Sequence, residues 1–221
     1  MGSNRLPGKV LKEIDGHPMI YYTLTRVIKS KYIDKVVLAT SNKEIDDPLE
    51  EYVIKELGMD VFRGSEDNVL ERYRLCCDRY KGDVIVRITG DCPLIDPCIV
   101  DNVITKFLIS NYDYVRLDVP NTFFRGFDVE VFSRETLEKV FSIVSNDKTL
   151  SKDEYKSYIE HVTYYIYNHS KQFKIGYVKN DKLIKERTNY SVDTGEDFER
   201  VKKIISENNF VEYKQIEERG N

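Results

Sequence analysis

The stretch Asp83-Val84-Ile85-Val86-Arg87-Ile88-Thr89-Gly90-Asp91-Cys92-Pro93-Leu94-Ile95-Asp96-Pro97 decides the fold. It opens on a short run of β-branched residues bounded by a glycine, which reads as a buried strand. Gly90 allows a tight backbone just past the strand, and Pro93 stiffens the exit. Asp96 before Pro97 is a helix start, with a capping carboxylate ahead of proline at the first helical position. Strand, loop and helix in that succession are the unit of an α/β protein.

Working outward, the same alternation continues. Val36-Val37-Leu38-Ala39, Tyr112-Asp113-Tyr114-Val115 and Tyr190-Ser191-Val192 read as further strands. Helical patterns occupy about 18–30, 44–57, 66–80, 97–110, 134–144, 152–168 and 196–207. Ser151 to Glu154 has the spacing of a capping box, and Thr194 to Asp197 repeats it with Asp for Glu. Strands separated by such helices imply an α/β fold with a mainly parallel sheet covered on both faces. A chain of 221 residues suits a single domain over 1–221. The least regular stretch, 116–130, marks a lid or arm that extends over about 116–170.

Composition narrows the function classes. Hydrophobic residues make up 41% of the chain, enough for a packed core and too many for global disorder. The net charge of −4 comes with no basic block, which excludes a nucleic-acid duplex as partner but leaves room for a free nucleotide. No run of 18 apolar residues crosses a membrane, and no signal peptide opens the chain. Cys76, Cys77, Cys92 and Cys98 fit no zinc spacing. Cys76 and Cys77 read as a helix face turned partly inward, and the expected compartment is a reducing cytoplasm.

Ligands of open α/β sheets bind beyond the carboxyl ends of the strands. Two acids stand there: Asp91 after the strand at 84–88, and Asp193 after the one at 190–192. Two carboxylates at neighbouring strand ends suit Mg²⁺, which takes one or two carboxylates plus substrate phosphates and waters. The competing reading makes each acid a cap for the turn that follows it. Met1-Gly2-Ser3-Asn4-Arg5-Leu6-Pro7-Gly8-Lys9 combines glycines, a hydroxyl and two cations. It suits a loop wrapped around phosphate oxygens, or else a basic, flexible terminus. It is neither a Walker A loop nor a dinucleotide-binding glycine motif.

Six blocks, in order, carry a resemblance: Arg5-Leu6-Pro7-Gly8-Lys9; Phe62-Arg63-Gly64-Ser65; Arg87 to Pro97; Gly126-Phe127-Asp128-Val129-Glu130-Val131-Phe132; Glu160-His161-Val162-Thr163; and Val192-Asp193-Thr194-Gly195-Glu196-Asp197. Together they resemble the cytidylyltransferase family of spore-coat polysaccharide biosynthesis, whose wider relatives are the CMP-sialate and CMP-Kdo synthetases. The resemblance implies a nucleotide-diphospho-sugar transferase fold, Mg²⁺, CTP and a small sugar-like acceptor, in a homodimer. It implies that Arg5 and Lys9 meet the CTP phosphates and that Asp91 and Asp193 hold the metal. Ser3, Asn4, Ser65, Asn68, Arg72, Arg87 and Thr89 would complete the nucleotide site. Arg125, Asp128, Glu130, Glu160 and His161 fall in the part that matches the family's acceptor and dimer region. His17 and His169 read as structural.

This sequence departs from the family at its start. Relatives carry an apolar strand before the segment that matches Met1-Gly2-Ser3, central in their sheet. The expected explanation is a start assigned too late, and a chain that has lost nucleotide binding is the alternative; the sequence as it stands predicts unpaired backbone and an opened core. A second departure is Phe124 before Arg125-Gly126, where relatives often have proline. Two other functions remain in view. One is a glycosyltransferase on the same fold, whose Asp-x-Asp metal motif only Asp128-Val129-Glu130 approaches. The other is a catalytically silent nucleotide-binding protein.

Overall fold

The computed structural model describes residues 2–3, 5–186, 188–208 and 210–219. A 3-10 turn over Lys9–Leu11 leads into a hairpin of two short strands, β1 (Glu13–Ile14) and β2 (His17–Pro18), and then α1 (Met19–Val27). β3 (Val37–Ser41), α2 (Asp47–Lys55), β4 (Asp60–Gly64), α3 (Val69–Tyr80), β5 (Val84–Arg87) and α4 (Pro97–Leu108) follow in alternation. β6 (Tyr114–Leu117) and β7 (Glu130–Ser133) come next without an intervening helix. The chain closes with α5 (Arg134–Asn146), α6 (Lys152–Glu160), α7 (Tyr164–Asn168), β8 (Ile175–Val178), α8 (Gly195–Glu207) and α9 (Tyr213–Arg219).

The expected α/β architecture is present, with mixed strand directions. β3 and β4 form one parallel pair. A four-stranded sheet runs β5-β7-β6-β8, with β6 and β8 parallel and β7 antiparallel to both its neighbours. The antiparallel insertion has a simple cause. Strands in parallel need a long crossover connection, usually a helix, and residues 118–129 form no helix. Register then sets Glu130 of β7 opposite Arg87 of β5 on one side and Arg116 of β6 on the other.

Side chains alternate across this sheet. Val115, Leu117 and Val131 face a core shared with α4 and α8, where Val103, Val201 and Ile205 are buried. Tyr114 and Phe132 face the opposite way, onto Leu137 and Val140 of α5 and Tyr158 of α6. A smaller cluster joins Ile20 and Leu24 of α1 to Leu49 and Val53 of α2.

The caps expected from sequence are formed. Asp96 accepts from the Cys98 N–H at 2.8 Å, and both Ser151–Glu154 and Thr194–Asp197 are complete capping boxes. Cys76 is half-buried and Cys77 buried. His169 ends α7 and stacks on Tyr165 at 4.0 Å, and His17 stacks on Tyr21 at 4.1 Å.

Three expectations need correction. The segment 190–192 is not a strand, because its backbone bonds go to two different loops. The Tyr190 N–H donates to the Arg125 carbonyl, and the Val192 N–H donates to the Asp91 carbonyl, both at 2.8 Å. The helix expected over 152–168 is two helices, α6 and α7, with His161 at the break in a non-helical conformation. Strands β4, β7 and β8 were not anticipated. No ladder joins β3 to β5 among the described residues.

Candidate functional site

The site forms where three loops meet. Lys9 opens the 3-10 turn that follows Gly8, whose φ of 67° suits glycine. Asp91 lies just past β5, in a loop closed by Cys92 N–H to Thr89 carbonyl and Ile95 N–H to Cys92 carbonyl bonds, both 3.2 Å. Asp193 immediately precedes α8. The bond from the Val192 N–H to the Asp91 carbonyl holds the last two loops side by side.

Between the two acids sits the Lys9 ammonium. It donates to Asp91 Oδ2 at 2.8 Å, to the Val192 carbonyl at 2.6 Å and to Asp193 Oδ1 at 3.4 Å. Arg5 pairs with the same Asp193 oxygen at 2.8 Å. The Lys9 side chain is only 13% exposed whereas Arg5 is 66% exposed, so water and salt screen the Lys9 contacts less and Lys9 is the better-held cation. Burial alone would push the Asp91 carboxyl up. The charge and hydrogen bond of Lys9, with the Thr89 hydroxyl, hold it below the ordinary carboxylate range.

The competing reading, in which these acids are caps, fails for Asp193. The cap of α8 is Thr194, whose hydroxyl accepts from the Asp197 N–H at 3.2 Å. Asp197 in turn accepts from the Asp193 and Thr194 N–H groups. The Asp193 carboxylate is left for cations. The donor set also fits a divalent ion: two carboxylates and a carbonyl converge on one positive charge, which Lys9 supplies here.

The other expected nucleotide residues lie around this centre in varied states. Ser3 accepts from the Leu6 N–H at 3.3 Å and so shapes the loop. Asn4 lies outside the described residues. Thr89 Oγ1 is 3.3 Å from Cys92 Sγ. Ser65, Asn68 and Arg72 close on one another at the start of α3. Ser65 Oγ accepts from the Asn68 N–H at 3.0 Å, Asn68 caps Glu71 at 2.9 Å, and Arg72 donates to the Ser65 carbonyl at 2.6 Å. Burial lowers the Arg72 pKa.

Arg87 and Glu130, one expected near nucleotide and the other near acceptor, are joined to each other in an ion pair in which Glu130 is buried and Arg87 half-buried. The Tyr114 hydroxyl also donates to Glu130, as does the Thr163 hydroxyl at 2.7 Å. Burial would raise the Glu130 carboxyl; Arg87, Tyr114 and Thr163 together hold it low. Asp128 accepts from the Gly126 N–H at 2.9 Å, and burial pushes its carboxyl up. Arg125 is exposed and lines a small cavity of about 150 Å³ with Pro120, Phe124, Ile184 and Thr188. Glu160 and His161 are exposed at the end of α6, and the His161 ring meets Tyr164 edge-on at 6.2 Å.

Sequence reasoning passed over two groups that lie beside these residues. The Val192 carbonyl is backbone, and residue type gives no signal for it. Arg116 is a half-buried arginine whose guanidinium lies 5.6 Å from the Tyr167 ring centroid. A lone cation inside the apolar run Tyr114-Val115-Arg116-Leu117 was its available signal.

A family model described as cytidylyltransferase matches residues 1–218. The chain belongs to the cytidylyltransferase family. Among its relatives is the spore coat polysaccharide biosynthesis protein SpsF of Bacillus subtilis, 35% identical over 210 residues, covering 92% of this chain and 82% of that one. A solved cytidylyltransferase from Leptospira borgpetersenii superposes with a TM-score of 0.87 at 34% identity, over 98% of this chain and 89% of that chain. The structure of a CMP:2-keto-3-deoxy-manno-octonic acid synthetase complexed with CTP matches at a TM-score of 0.67 and 15% identity, over 93% and 95%. That last likeness shows the fold. This cytidylyltransferase is thus a nucleotidyltransferase by family, and none of its described helices is long and apolar enough to cross a membrane.

Proposed function

We propose that this cytidylyltransferase transfers CMP from CTP to a small sugar-like acceptor, such as a sugar acid, with release of pyrophosphate, in the synthesis of a surface polysaccharide or glycan. The observation that carries the reading is the convergence of Asp91 and Asp193 on one cation beyond the carboxyl end of β5. Asp91 and Asp193 would hold Mg²⁺, whose charge would lower the cost of charge build-up on the α-phosphate. Lys9 and Arg5 would neutralise the departing pyrophosphate, as their placement on the glycine-containing loop favours. Ser3 and Asn4 belong to that loop, and Thr89, Ser65, Asn68 and Arg72 to the nucleotide side of the site. Arg125, Asp128, Glu130, Glu160 and His161 belong to the acceptor side and Arg87 to the nucleotide side, the two sides being linked through the Arg87–Glu130 ion pair. No residue is assigned as general base. A homodimer built through the 116–170 region belongs to the same reading.

The glycosyltransferase alternative has less to stand on. Asp128-Val129-Glu130 is its nearest metal motif, and Glu130 is already engaged by Arg87, Tyr114 and Thr163. The test is mass spectrometry of products formed from CTP, Mg²⁺ and a panel of sugar acids. A CMP adduct with stoichiometric pyrophosphate, and CTP favoured over ATP, is the expected result. Equal turnover of ATP, or a transfer product lacking CMP, would refute the reading. CTP binding without any turnover would point to the silent nucleotide-binding protein.

A further inference from the structure

Two arginines flank Glu130, and only one of them is answered. Arg87 of β5 and Arg116 of β6 are both half-buried, and both stand opposite Glu130 in the register of β7. Glu130 Oε2 pairs with Arg87. Glu130 Oε1 accepts from the Tyr114 hydroxyl and, at 2.7 Å, from the Thr163 hydroxyl. Both carboxylate oxygens are therefore engaged without Arg116. The Arg116 Nε–H donates to the Leu117 carbonyl at 3.3 Å, and the guanidinium lies over the Tyr167 ring. Among the described residues neither Arg116 Nη group has a hydrogen-bond or ion-pair partner. Nor are these groups sealed in the protein, in contrast to the Arg87 Nε–H, which is buried without an acceptor.

A guanidinium half-withdrawn from water loses hydration, which is unfavourable unless an anion replaces it. An aromatic face steadies such a group without using its N–H donors. The Nη donors of Arg116 remain for a ligand. Arg116 also lies outside all six sequence blocks that carry the family resemblance, so its presence is a property of this chain's own sequence.

The sheet places Arg116 relative to the cation site. β5 and β6 are both antiparallel to β7, so they run the same way and their carboxyl ends share one edge. Arg87 ends β5, and Asp91 follows in the next loop. Strands spaced about 4.8 Å apart put Arg116 roughly 10 Å across the sheet from Arg87. Asp128 bridges that span, since its carboxylate acts on Arg116 and, together with Asp91, on the buried Cys92 thiol. A molecule of monosaccharide size reaches from one end of this row to the other.

Charge selects the anion. Glu130 and Asp128 are the acids that face Arg116. Glu130 is matched by Arg87, and burial favours the uncharged form of Asp128. One cation is left for one negative charge. A carboxylate carries one and meets a planar guanidinium in two parallel hydrogen bonds. A phosphate monoester carries close to two, more than the site answers.

We propose that Arg116 is a specificity-determining residue, which binds a carboxylate of the acceptor through its Nη groups and so selects sugar acids over neutral sugars. The proposal deepens the nucleotidyl-transfer reading and rests on it.

The test is calorimetric titration of the whole chain with Mg²⁺ and CMP present, which fill the nucleotide side without turnover. The probes are 3-deoxy-manno-octulosonate, N-acetylneuraminate and galacturonate, each beside its neutral primary amide, and ribitol 5-phosphate. At least one acid is expected to bind roughly tenfold or more tighter than its amide. Arg116→Met should weaken that acid by roughly tenfold or more while leaving the amide and CMP unchanged, and Arg116→Lys should recover part of the loss. In the parent, the acid and not its amide should shield Arg116 from phenylglyoxal, read by peptide mass spectrometry; this measurement decides the matter if the Met variant does not fold. Equal binding of acid and amide, parent-like acid binding in Arg116→Met, or phenylglyoxal labelling unaffected by the acid would overturn the proposal. So would binding of ribitol 5-phosphate with none of the acids bound. Acid binding that depends on Arg116 without CMP transfer from CTP would leave this assignment standing and remove the nucleotidyl-transfer reading instead.

Discussion

β7 and β5 lie side by side and are built from similar residues, yet they live in different surroundings. Glu130, Val131 and Phe132 of β7 have ladders on both edges and are at most 7% exposed. β5 has one ladder among the described residues, and its first residue is 39% exposed. The difference shows that composition alone does not bury a strand. A second paired edge does, because it satisfies backbone groups that otherwise need water. The doubly paired strand β7 can therefore keep Glu130 buried, with its charge met by Arg87 at the end of β5. β5 leaves apolar side chains partly exposed.

The largest expected effect is on β7. Glu130→Gln removes the charge that Arg87 is buried against, and should cost about 3–5 kcal/mol in urea denaturation. The pH dependence has a definite sign. The Glu130 carboxyl is held below its ordinary 4.5, so its contribution is full above that pH and is lost as pH falls through the lower folded value. In the Gln variant that part of the acid limb of the stability profile should be missing. An unchanged acid limb would show that the pair does not act as described.

Gly126 offers a second way to break the comparison. At φ 100°, a Cβ there would fall 2.3 Å from the Tyr190 carbonyl carbon, which is backbone and cannot rotate away. Gly126→Ala should cost about 1–3 kcal/mol from strain and a similar amount from overpacking. Exchange at the Tyr190 amide should accelerate with it. Stability equal to the parent would mean that the 124–130 and 189–191 segments are not held together there.

The smallest effects sharpen the contrast directly. Val131→Ala on β7 should cost about 1.5–3 kcal/mol, the usual worth of a fully buried valine. Val84→Ala on β5 should cost about 0.5 kcal/mol or less, as for a surface change. Equal losses in thermal or urea unfolding would mean that both strands are buried alike in solution.

Much of this was legible in sequence, for identifiable reasons. Asp96-Pro97, Ser151–Glu154 and Thr194–Asp197 are local devices, and each forms as read. Asp91 and Asp193 were placed by their position after apolar runs, and the structure brings them to one ammonium. What stayed hidden depends on distant partners. The break between α6 and α7 lies inside a Tyr-rich run, where the Thr163 hydroxyl is drawn to Glu130 across 33 positions. β7 was masked by Glu130, a charge that reads as solvent-facing until Arg87 and Arg116 are seen flanking it. The segment at 190–192 has strand composition but divides its backbone bonds between the loops at 125 and 91.

The central claim, that Asp91 and Asp193 form one cation site, is tested most directly by Mn²⁺ titration followed by electron paramagnetic resonance. The titration is run with and without CTP on the parent, Asp91→Asn, Asp193→Asn and the double variant. The account predicts that each single change weakens CTP-dependent Mn²⁺ binding by at least tenfold and that the double change adds little, since residues acting as a unit are non-additive. Near-parent binding in Asp193→Asn, or losses that simply add, would contradict it.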